Sequence, residues 1–513
     1  METVDLGSRQ KDYAVFLPAL SGFYATYVGK QRYREYVDPQ RIPPGFTNSV
    51  ESLNFLAAKD NVFRYPWALY SAGHAELDTN KLSEKEDMVR NRDRSTSFLL
   101  GDSGGFQIAK GLWPGEWADP TCPKAQKQRE LVLNWMEAYM DYGMVLDIPT
   151  WTFRDPKASA ACGIRSYDDA VNATKINNDY FINNRRGNVK FLNVLQGGTH
   201  QEADHWYGIM KDYCDPRVHP ERHFNGWAMG GQNMCDVHLV LRRLVTLIHD
   251  GLLEPGLHDW MHFLGTSKLE WATLLTDVQR AVRKYHNPNF TISFDCASPF
   301  LATANGMIYT HNKFPDRGKW VYKMEPGVDN KKYSSDTRLL GEVLRDDKHL
   351  DFLDGPVSDM LQVKDICIYA PGDLNKIGKE GKTSWDSFSY CLQMAHNVWA
   401  HLNAVQTANE NYDAGSIPGM LVDDRFDEIR FRDLVDEIFS LQDREKSLKL
   451  IEDYNRYWMR IVGTRGFTGK KTMNSQTAFG AMFNTADTTV EEDQTAEEEL
   501  DTIALDHLEE SQT

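Results

Sequence analysis

Between about residues 50 and 310 the chain repeats one arrangement: a short apolar run, a polar or glycine-rich stop, and then an amphipathic segment. Six such runs follow one another at intervals of about 30 to 50 residues. They are FLLGD (98–102), GMVLD (143–147), VKFLNVLQGG (189–198), NGWAMGG (225–231), MHFLG (261–265) and TISFD (291–295). Short apolar runs bounded by turn residues predict buried strands.

The segments between these runs are predicted to be helices. HLVLRRLVTLIHDG (238–251) shows the pattern well, because its apolar residues recur at helical spacing and it stops at Gly251. The apolar face consists of Leu241, Leu244, Val245 and Ile248. Strands that alternate with helices imply a parallel sheet with right-handed crossovers.

The polar residues all follow the apolar runs, so they fall at the carboxyl ends of the predicted strands. Active sites form at that end of a (β/α)₈ barrel. We therefore predict an α/β protein, a (β/α)₈ TIM barrel with insertions and a helical C-terminal extension. A doubly wound open sheet is the alternative, but it would offer one crevice instead of six polar strand ends.

The irregular stretches suggest boundaries around this barrel. The predicted parts are an N-terminal extension (1–50), the barrel (51–410) with an insertion around 310–365, a helical C-terminal region (411–484) and an acidic disordered tail (485–513).

Composition and cysteine spacing indicate where in the cell the protein is expected. The chain is 41% hydrophobic and 26% charged, as in ordinary folded proteins. Its start does not resemble a secretory signal, and no apolar run approaches the roughly 20 residues of a membrane span. The seven cysteines are widely spaced without a CxxC pair, which favours reduced thiols. We expect a soluble cytoplasmic protein with no membrane partner.

The net charge of −17 does not exclude a nucleic-acid partner. Eleven acidic residues and no Lys or Arg lie between Asp487 and the end, which leaves −6 on the rest of the chain. Binding to nucleic acid depends on local clusters of basic residues, and the remaining chain can still present one.

Among the polar stops, the loop after FLL (98–100) carries the most chemistry. It presents Asp102, followed by Ser103, Gly104, Gly105 and Phe106. Two adjacent glycines let a ligand approach the main chain closely, so the loop suits an acid held against a flat ligand. A strand that ends in an ordinary Asp-Ser-Gly-Gly turn is the alternative.

Taken in order, these strand ends resemble the tRNA-guanine transglycosylase family, whose members exchange guanine for a 7-deazaguanine in a nucleic acid. The similarity covers about residues 50–310 and continues more weakly to about 410. The motifs that carry it are DSGGFQ (102–107), NVLQGG (193–198), AMGG (228–231), FLGTS (263–267), FDCASP (294–299) and ATANGMIYT (302–310).

Base exchange needs a nucleophile for the sugar carbon and an acid for the departing purine, and carboxylates can serve as both. The resemblance implies that Asp295 is the nucleophile, through a covalent glycosyl intermediate, and that Asp102 is the general acid and base. A strand-terminal Asp295 that caps the next turn is the structural alternative.

The resemblance also implies a base-binding set. Asp147 corresponds to the acid that accepts the N1–H and the exocyclic amine of guanine. Gln196 and Gly197 would contact the carbonyl edge, and Gly230 and Gly231 would let the backbone approach the 7-substituent. Alternatively, Asp147 forms a salt bridge at a strand end and the glycines serve turns.

The chain departs from the family at its zinc site. Where the family has CxCxxC, this chain reads DICIYA (365–370), which leaves Cys367 and His396 as candidate ligands of a structural zinc. Asp365 or Cys391 could complete the site, but a vestigial site held by packing is the alternative, because two ligands do not close a tetrahedral centre. We therefore assign no metal ligand from the sequence.

Other departures favour DNA as the polymer. After FDCASP the chain reads FLATANG (300–306), where the tRNA enzymes carry a Thr-Arg pair. The insertion at 310–365 and the acidic tail also differ from those enzymes. These features resemble the DpdA-type transglycosylases of bacteria and phages, which insert 7-deazaguanines into DNA. Such an enzyme, in the host cytoplasm if phage-encoded, must extrude the target guanosine.

A basic and aromatic segment, RYWMRIVGTRGFTGKK (456–471), is the candidate surface for the polymer. Cations can meet phosphates while aromatic rings stack on bases. Its cations are Arg456, Arg460, Arg465, Lys470 and Lys471. The alternative is a helix that docks its aromatic side chains on the barrel.

Three functions therefore stay open: a DNA 7-deazaguanine transglycosylase, which we favour, a transglycosylase that acts on tRNA, and a non-catalytic accessory subunit. The first two imply guanine and a 7-deazaguanine base as small-molecule partners, and the resemblance also allows for a homodimer. Because Asp102 and Asp295 are both present, a binding-only role is the least favoured.

Overall fold

The computed structural model describes residues 3–29, 42–46, 49–81, 88–90, 92–266, 268–304, 306–328, 330–346, 350, 352–367, 387–423 and 429–461. The predicted acidic tail (485–513) and the end of the predicted helical region lie outside the described residues.

Eight parallel strands form the core of the fold and are hydrogen-bonded in chain order. They are β1 (Val15–Pro18), β2 (Trp67–Ser71), β3 (Phe98–Asp102), β4 (Tyr142–Met144), β5 (Lys190–Leu195), β6 (Gly226–Met229), β7 (Trp260–Phe263) and β8 (Thr291–Cys296). All six apolar runs of the sequence prediction are strands of this sheet, so the predicted (β/α)₈ barrel is confirmed.

The first strand closes the barrel. Asp295 of β8 pairs with Leu17 of β1, and on the other side the backbone N–H of Leu20 donates to the carbonyl of Leu69 at 2.9 Å. The barrel therefore begins inside the predicted N-terminal extension (1–50), and that boundary is corrected. The prediction missed β1, whose apolar run ends at a proline, a residue that argues against a strand although it is tolerated at a strand terminus; it also missed β2.

Helices surround the barrel. Those that follow β1 to β7 include α1 (Gly22–Gly29), α2 (Gly105–Ala109), α3 (Pro123–Tyr139), α4 (Pro156–Cys162), α5 (Tyr167–Asn184), α6 (His200–Met210), α7 (Val237–His249) and α8 (Leu269–Tyr285). The predicted helix 238–251 corresponds to α7, and Gly251 adopts a φ of 72° beyond its end, as a helix stop favours.

The chain after β8 carries the insertion. It forms α9 (Ser298–Ala304), the antiparallel hairpin β9 (Met307–Lys313) with β10 (Val321–Pro326), and α10 (Leu340–Asp346). The long helix α11 (Ser387–Asp413) then packs against α8 and α1, and so completes the helical ring. The C-terminal helices are α12 (Phe431–Ser440), α13 (Arg444–Asp453) and α14 (Asn455–Trp458).

Aromatic side chains fill the amino-terminal end of the barrel. Phe98, Tyr142 and Trp260 are the first residues of β3, β4 and β7. The rings of Phe98 and Trp260 stack with centroids 4.6 Å apart, and Tyr142 lies 5.2 Å from Trp260. Because β3 and β7 are not neighbours, these contacts cross the interior. The barrel is thus a packed core with its floor closed, and its opposite end is free for a site.

Two further observations concern the whole chain. None of the seven cysteines forms a disulfide, as their spacing predicted. In the part of the chain that the structure describes, no helix combines the length and the apolarity needed to cross a membrane.

A buried carboxylate joins the C-terminal helices to the barrel. Asp277 of α8 accepts hydrogen bonds from Tyr412 Oη at 2.6 Å and from Arg432 Nε at 2.8 Å. Burial raises the pKa of Asp277, and the Arg432 guanidinium opposes that rise. Removing a carboxylate from water in this way is unfavourable unless a nearby cation compensates its charge.

We predict that Arg432→Met lowers the free energy of unfolding by roughly 1–3 kcal/mol, because it leaves the Asp277 carboxylate less compensated. The folded-state pKa of Asp277 rises further in this variant, so the loss is larger at about pH 8 than at about pH 5. Urea unfolding at the two pH values measures it. Lys446→Met, which removes an exposed ion pair with Asp443, is the control. Equal losses in the two variants would contradict the prediction.

Candidate active site

The carboxyl ends of the strands bring the predicted acids together. Asp102 is the last residue of β3, Asp147 follows β4, and Asp295 lies near the end of β8. The charge of Asp295 contributes to the raised pKa of Asp102, and the charge of Asp102 contributes to that of Asp147. Gln196, directly after β5, joins the same group through Asp147. The predicted three-carboxylate cluster is therefore present at one mouth of the barrel.

Asp295 is held by two donors on one of its oxygens. The backbone N–H of Gly265 donates to Asp295 Oδ1 at 2.8 Å, and His262 Nε2 lies 3.1 Å from the same atom. Asp295 is 9% exposed. Among the described residues, both hydrogen bonds go to Oδ1, which leaves Oδ2 as the oxygen that can meet a ligand.

A column of three hydrogen-bonded side chains, Trp260, Ser293 and His262, holds this carboxylate from the amino-terminal side of the barrel. The Trp260 indole Nε1–H donates to Ser293 Oγ at 2.8 Å, and Ser293 Oγ lies 2.8 Å from His262 Nδ1. An indole can only donate, so the Ser293 hydroxyl has its proton free for His262 Nδ1. That assignment puts the ring proton of His262 on Nε2, facing Asp295. The column thus orients the carboxylate from the barrel floor.

Asp102 is set beside a hydroxyl. Its neighbour in register is Ser71, the last residue of β2, whose Oγ donates to Asp102 Oδ2 at 2.7 Å. Burial raises the pKa of Asp102, and the nearby charge of Asp295 raises it further, although Ser71 and the Gly104 N–H oppose the shift. A raised pKa favours the protonated carboxyl group, which is the form that a general acid needs.

Asp147 is more deeply buried than the other two acids, at 6% exposure. The side-chain amide of Gln196 donates to Asp147 Oδ2 at 2.7 Å. Burial is the largest cause that raises the pKa of Asp147 to about 7, with the charge of Asp102 adding to it and the Gln196 bond opposing it. The group is thus balanced between its charged and neutral forms near neutral pH.

The glycines at the mouth make room for protein as well as for a ligand. A β-carbon at Gly230 would lie 2.6 Å from Gln196 Nε2, and the Gly230 N–H donates to the carbonyl of Leu195 at 2.8 Å. Gly231 has a φ of 54°, and a β-carbon there would meet the carbonyl of Gly197. Both glycines therefore let the loops after β5 and β6 pack together, which is the turn role that the sequence left open. The N–H of Gly230 donates within the protein.

The loop that contains Ser103, Gly104 and Gly105 is similarly packed. Ser103 is fully buried and its Oγ donates to the carbonyl of Val145 at 3.1 Å, so its side chain joins the loops after β3 and β4, and its contact with a ligand stays a prediction. Gly104 has a φ of 84°, and a β-carbon at Gly105 would collide with the carbonyl of Asp147. These glycines bring β3 and β4 close enough for their acids to interact.

Phe106 is half-buried and pairs with an aromatic residue that the sequence analysis did not single out. Its ring centroid lies 6.0 Å from that of Trp151, and Lys110 Nζ lies 5.6 Å from the Phe106 centroid. Phe106 and Trp151 follow β3 and β4, so they present partly exposed aromatic surface on the same side of the mouth.

The structure bears on the basic segment only as far as residue 461. Arg456 is exposed and Arg460 is half-buried, but Tyr457 and Trp458 are buried, with the Tyr457 hydroxyl donating to the carbonyl of Leu421. These two aromatic rings cannot stack on bases, which favours the docking alternative. Arg465, Lys470 and Lys471 lie outside the described residues.

The candidate zinc ligands are already engaged by backbone carbonyls. Cys367 Sγ donates to the carbonyl of Asn330 at 3.4 Å, and His396 Nε2 donates to that of Tyr309 at 2.9 Å. Burial lowers the pKa of His396 to about 4. In the described ranges, neither residue belongs to a group of three or more potential ligands. These residues do not assemble a four-ligand zinc centre there.

Sequence reasoning missed the donors that hold the acids. His262 and Ser293 are polar residues inside strands that read as apolar runs, and Ser71 ends β2, a strand that the sequence did not predict. The only available signal was the period of two along β8, which puts Ser293 on the same face as Asp295.

No family model matches this chain, and no curated protein is significantly similar to it.

The buried Asp147 predicts a pH-dependent cost to folding. Its pKa is raised in the folded state, so its contribution to stability is lost as the pH rises through about 7. Asp147→Asn should therefore raise the melting temperature at about pH 8 and have a smaller effect at about pH 5, where the native carboxyl group is already protonated. Calorimetry at both pH values measures it.

Glu445→Gln, at an exposed position on α13, is the control and should show no such pH-dependent difference. A loss of stability of equal size at both pH values in Asp147→Asn would overturn the electrostatic description of this residue.

Proposed function

We propose that this protein is a base-exchange transglycosylase that replaces guanine in a nucleic acid, DNA by preference, with a 7-deazaguanine such as 7-cyano-7-deazaguanine. The observation that carries the proposal is the cluster of Asp102, Asp147 and Asp295 at one mouth of the barrel, each with a different hydrogen-bond environment. The motif resemblance described above gives the cluster its chemical interpretation.

In the first step Asp295 acts as the nucleophile. One carboxylate oxygen attacks the sugar C1′ of the target guanosine, and the bond from C1′ to N9 of guanine breaks. The electron pair of that bond leaves with the base, and an aspartyl ester links the protein to the nucleic acid. Support comes from Oδ1 of Asp295, which is fixed by Gly265 and His262, so that Oδ2 is presented in one orientation.

Asp102 supplies and recovers the proton. In its neutral form it donates a proton to the departing guanine and becomes a carboxylate. It then accepts the N9 proton of the incoming 7-deazaguanine, whose N9 attacks C1′ and releases Asp295. The raised pKa of Asp102 supports this role, because burial and the nearby charge of Asp295 favour the neutral form that donates the proton.

Asp147 and Gln196 read the base. As a carboxylate, Asp147 can accept both the N1–H and the exocyclic amine that guanine and its 7-deaza analogues present side by side. Gln196 already donates to Asp147, and its amide can instead serve the carbonyl edge of a bound base. The pair thereby favours guanine-type bases over adenine, which lacks this donor pattern.

The choice of DNA is supported by the departure from the tRNA enzymes that follows FDCASP (294–299). The helix α9, which directly follows β8, is buried along its whole length and contains no Lys or Arg. The segment in which the tRNA enzymes carry a Thr-Arg pair therefore offers no side-chain cation to a phosphate. A duplex substrate would still have to extrude its guanosine into the mouth, which costs a few kcal/mol.

The test is base exchange with the purified full-length protein. Radiolabelled guanine and 7-cyano-7-deazaguanine are offered in turn with DNA and with tRNA. We expect label in DNA, an undetectable rate for Asp295→Ala, and a rate about 10²–10⁴-fold lower for Asp102→Asn. Asp259→Asn is the matched control, because that carboxylate precedes β7 at the opposite end of the barrel.

Three outcomes of this test would each overturn a different part of the proposal. Label that appears only in tRNA would overturn the choice of polymer but keep the chemistry. Label in neither polymer, from a protein that binds nucleic acid, would favour the accessory subunit. Unchanged exchange in Asp295→Ala would reassign the nucleophile.

A further inference from the structure

A second cluster of titratable side chains lies at the starts of α6 and α7, directly after the loops that follow β5 and β6. His200 is the first residue of α6, Asp236 caps the amino terminus of α7, and His238 is the second residue of α7. One potential ligand atom from each lies within 4.8 Å of the other two. His200 Nε2 is 2.7 Å from Asp236 Oδ2. The proposed exchange reaction uses none of these groups.

A fourth potential ligand comes from the C-terminal region. Glu452 lies on α13, which packs along α7, and its Oε2 is 3.1 Å from His238 Nε2. The two atoms are close, but they are not aligned as a hydrogen bond. His238 is 8% exposed, and its Nε2 is buried without a hydrogen-bond partner among the described residues. The ring nitrogen thus faces the Glu452 carboxylate without a hydrogen bond between them, an arrangement that a cation held by both groups would explain.

The contacts around the cluster are compatible with a bound cation. Asp236 Oδ1 accepts the backbone N–H of Leu239 at 3.1 Å, which fixes the carboxylate and leaves Oδ2 on the side of the histidines. The nearest arginines of α7, Arg242 and Arg243, are both paired with Asp204. Their charges are therefore met by a carboxylate outside the cluster.

We propose that His200, Asp236, His238 and Glu452 bind a divalent transition metal, with Zn²⁺ as the ion that this donor set fits best. Two imidazole nitrogens and two carboxylate oxygens are a standard tetrahedral set for zinc, whereas Ca²⁺ and Mg²⁺ prefer oxygen ligands alone. On binding, each imidazole coordinates the metal through a nitrogen that carries no proton, so the hydrogen bond between His200 and Asp236 is replaced by a bond from each group to the metal.

A bound metal would link three parts of the chain. His200 follows the loop after β5, Asp236 and His238 follow the loop after β6, and Glu452 belongs to the C-terminal helices. Gly197 and Gly231 lie in those two loops, so the metal would stabilise the side of the mouth that is predicted to contact the base. The inference is separate from the proposed reaction and from the Cys367 and His396 pair.

Metal binding is tested without any activity assay. The full-length protein is stripped with a chelator and titrated with Zn²⁺ in competition with a zinc indicator. We expect one equivalent of zinc and a rise in melting temperature. His200→Gln and His238→Gln should each weaken binding at least tenfold, and the loss should be smaller for Glu452→Gln because its side chain is 67% exposed.

Two control variants make the result decisive. His249→Gln changes an exposed histidine at the other end of α7 and should bind zinc as the native protein does. Cys367→Ser should also keep the metal, and Co²⁺ in place of zinc should give visible d–d absorption without a thiolate charge-transfer band. The proposal is overturned by the absence of stoichiometric zinc in the native protein, by zinc that survives both histidine changes, or by zinc that is lost in Cys367→Ser.

Discussion

Three carboxyl groups share one buried mouth of the barrel, and the cost of charging them together governs the rest of the site. Asp102, Asp147 and Asp295 are all largely withdrawn from water, where charges of the same sign repel strongly. The protein separates their roles by hydrogen bonding. Asp295 receives a backbone N–H and an imidazole, whereas Asp102 and Asp147 have raised pKa values. This division is what acid–base chemistry with paired carboxylates requires.

The barrel itself makes this division possible. The column from Trp260 through Ser293 and His262 to Asp295 runs inside the barrel from its aromatic floor to its mouth. Each member faces the interior because β7 and β8 alternate with a period of two and pair in parallel register. The orientation of Asp295 therefore depends on the register of two strands and on the packing of the floor beneath them.

The sequence allowed the architecture to be predicted better than the contacts. Six strands were predicted because each ends at a glycine or a carboxylate, and those stops also revealed Asp102, Asp147 and Asp295. Two of the eight strands, β1 and β2, were missed, and the closure of the barrel at β1 is a pairing between Val15–Pro18 and residues more than 270 positions away, which local pattern cannot show. Ser71 and His262 were missed for the same reason, since only register places them beside an acid.

Elsewhere, the residue type does not reveal which way a side chain faces. Ser103 was predicted to contact a ligand, but the tight packing of β3 against β4 turns it into the protein. Tyr457 and Trp458 read as a stacking surface beside basic residues, yet α14 buries both of them. Likewise, the potential metal ligands His200, Asp236 and His238 are spread over 39 residues with no motif spacing, and only the folded loops unite them.

The central claim is that Asp295 becomes covalently attached to the sugar of its substrate. The most direct measurement incubates the protein with a guanine-containing oligonucleotide, quenches it by denaturation and determines the intact mass, followed by peptide mapping. The account predicts an added mass equal to the oligonucleotide minus guanine, on the peptide that contains Asp295. An adduct on a different residue, or turnover without any adduct, would contradict it.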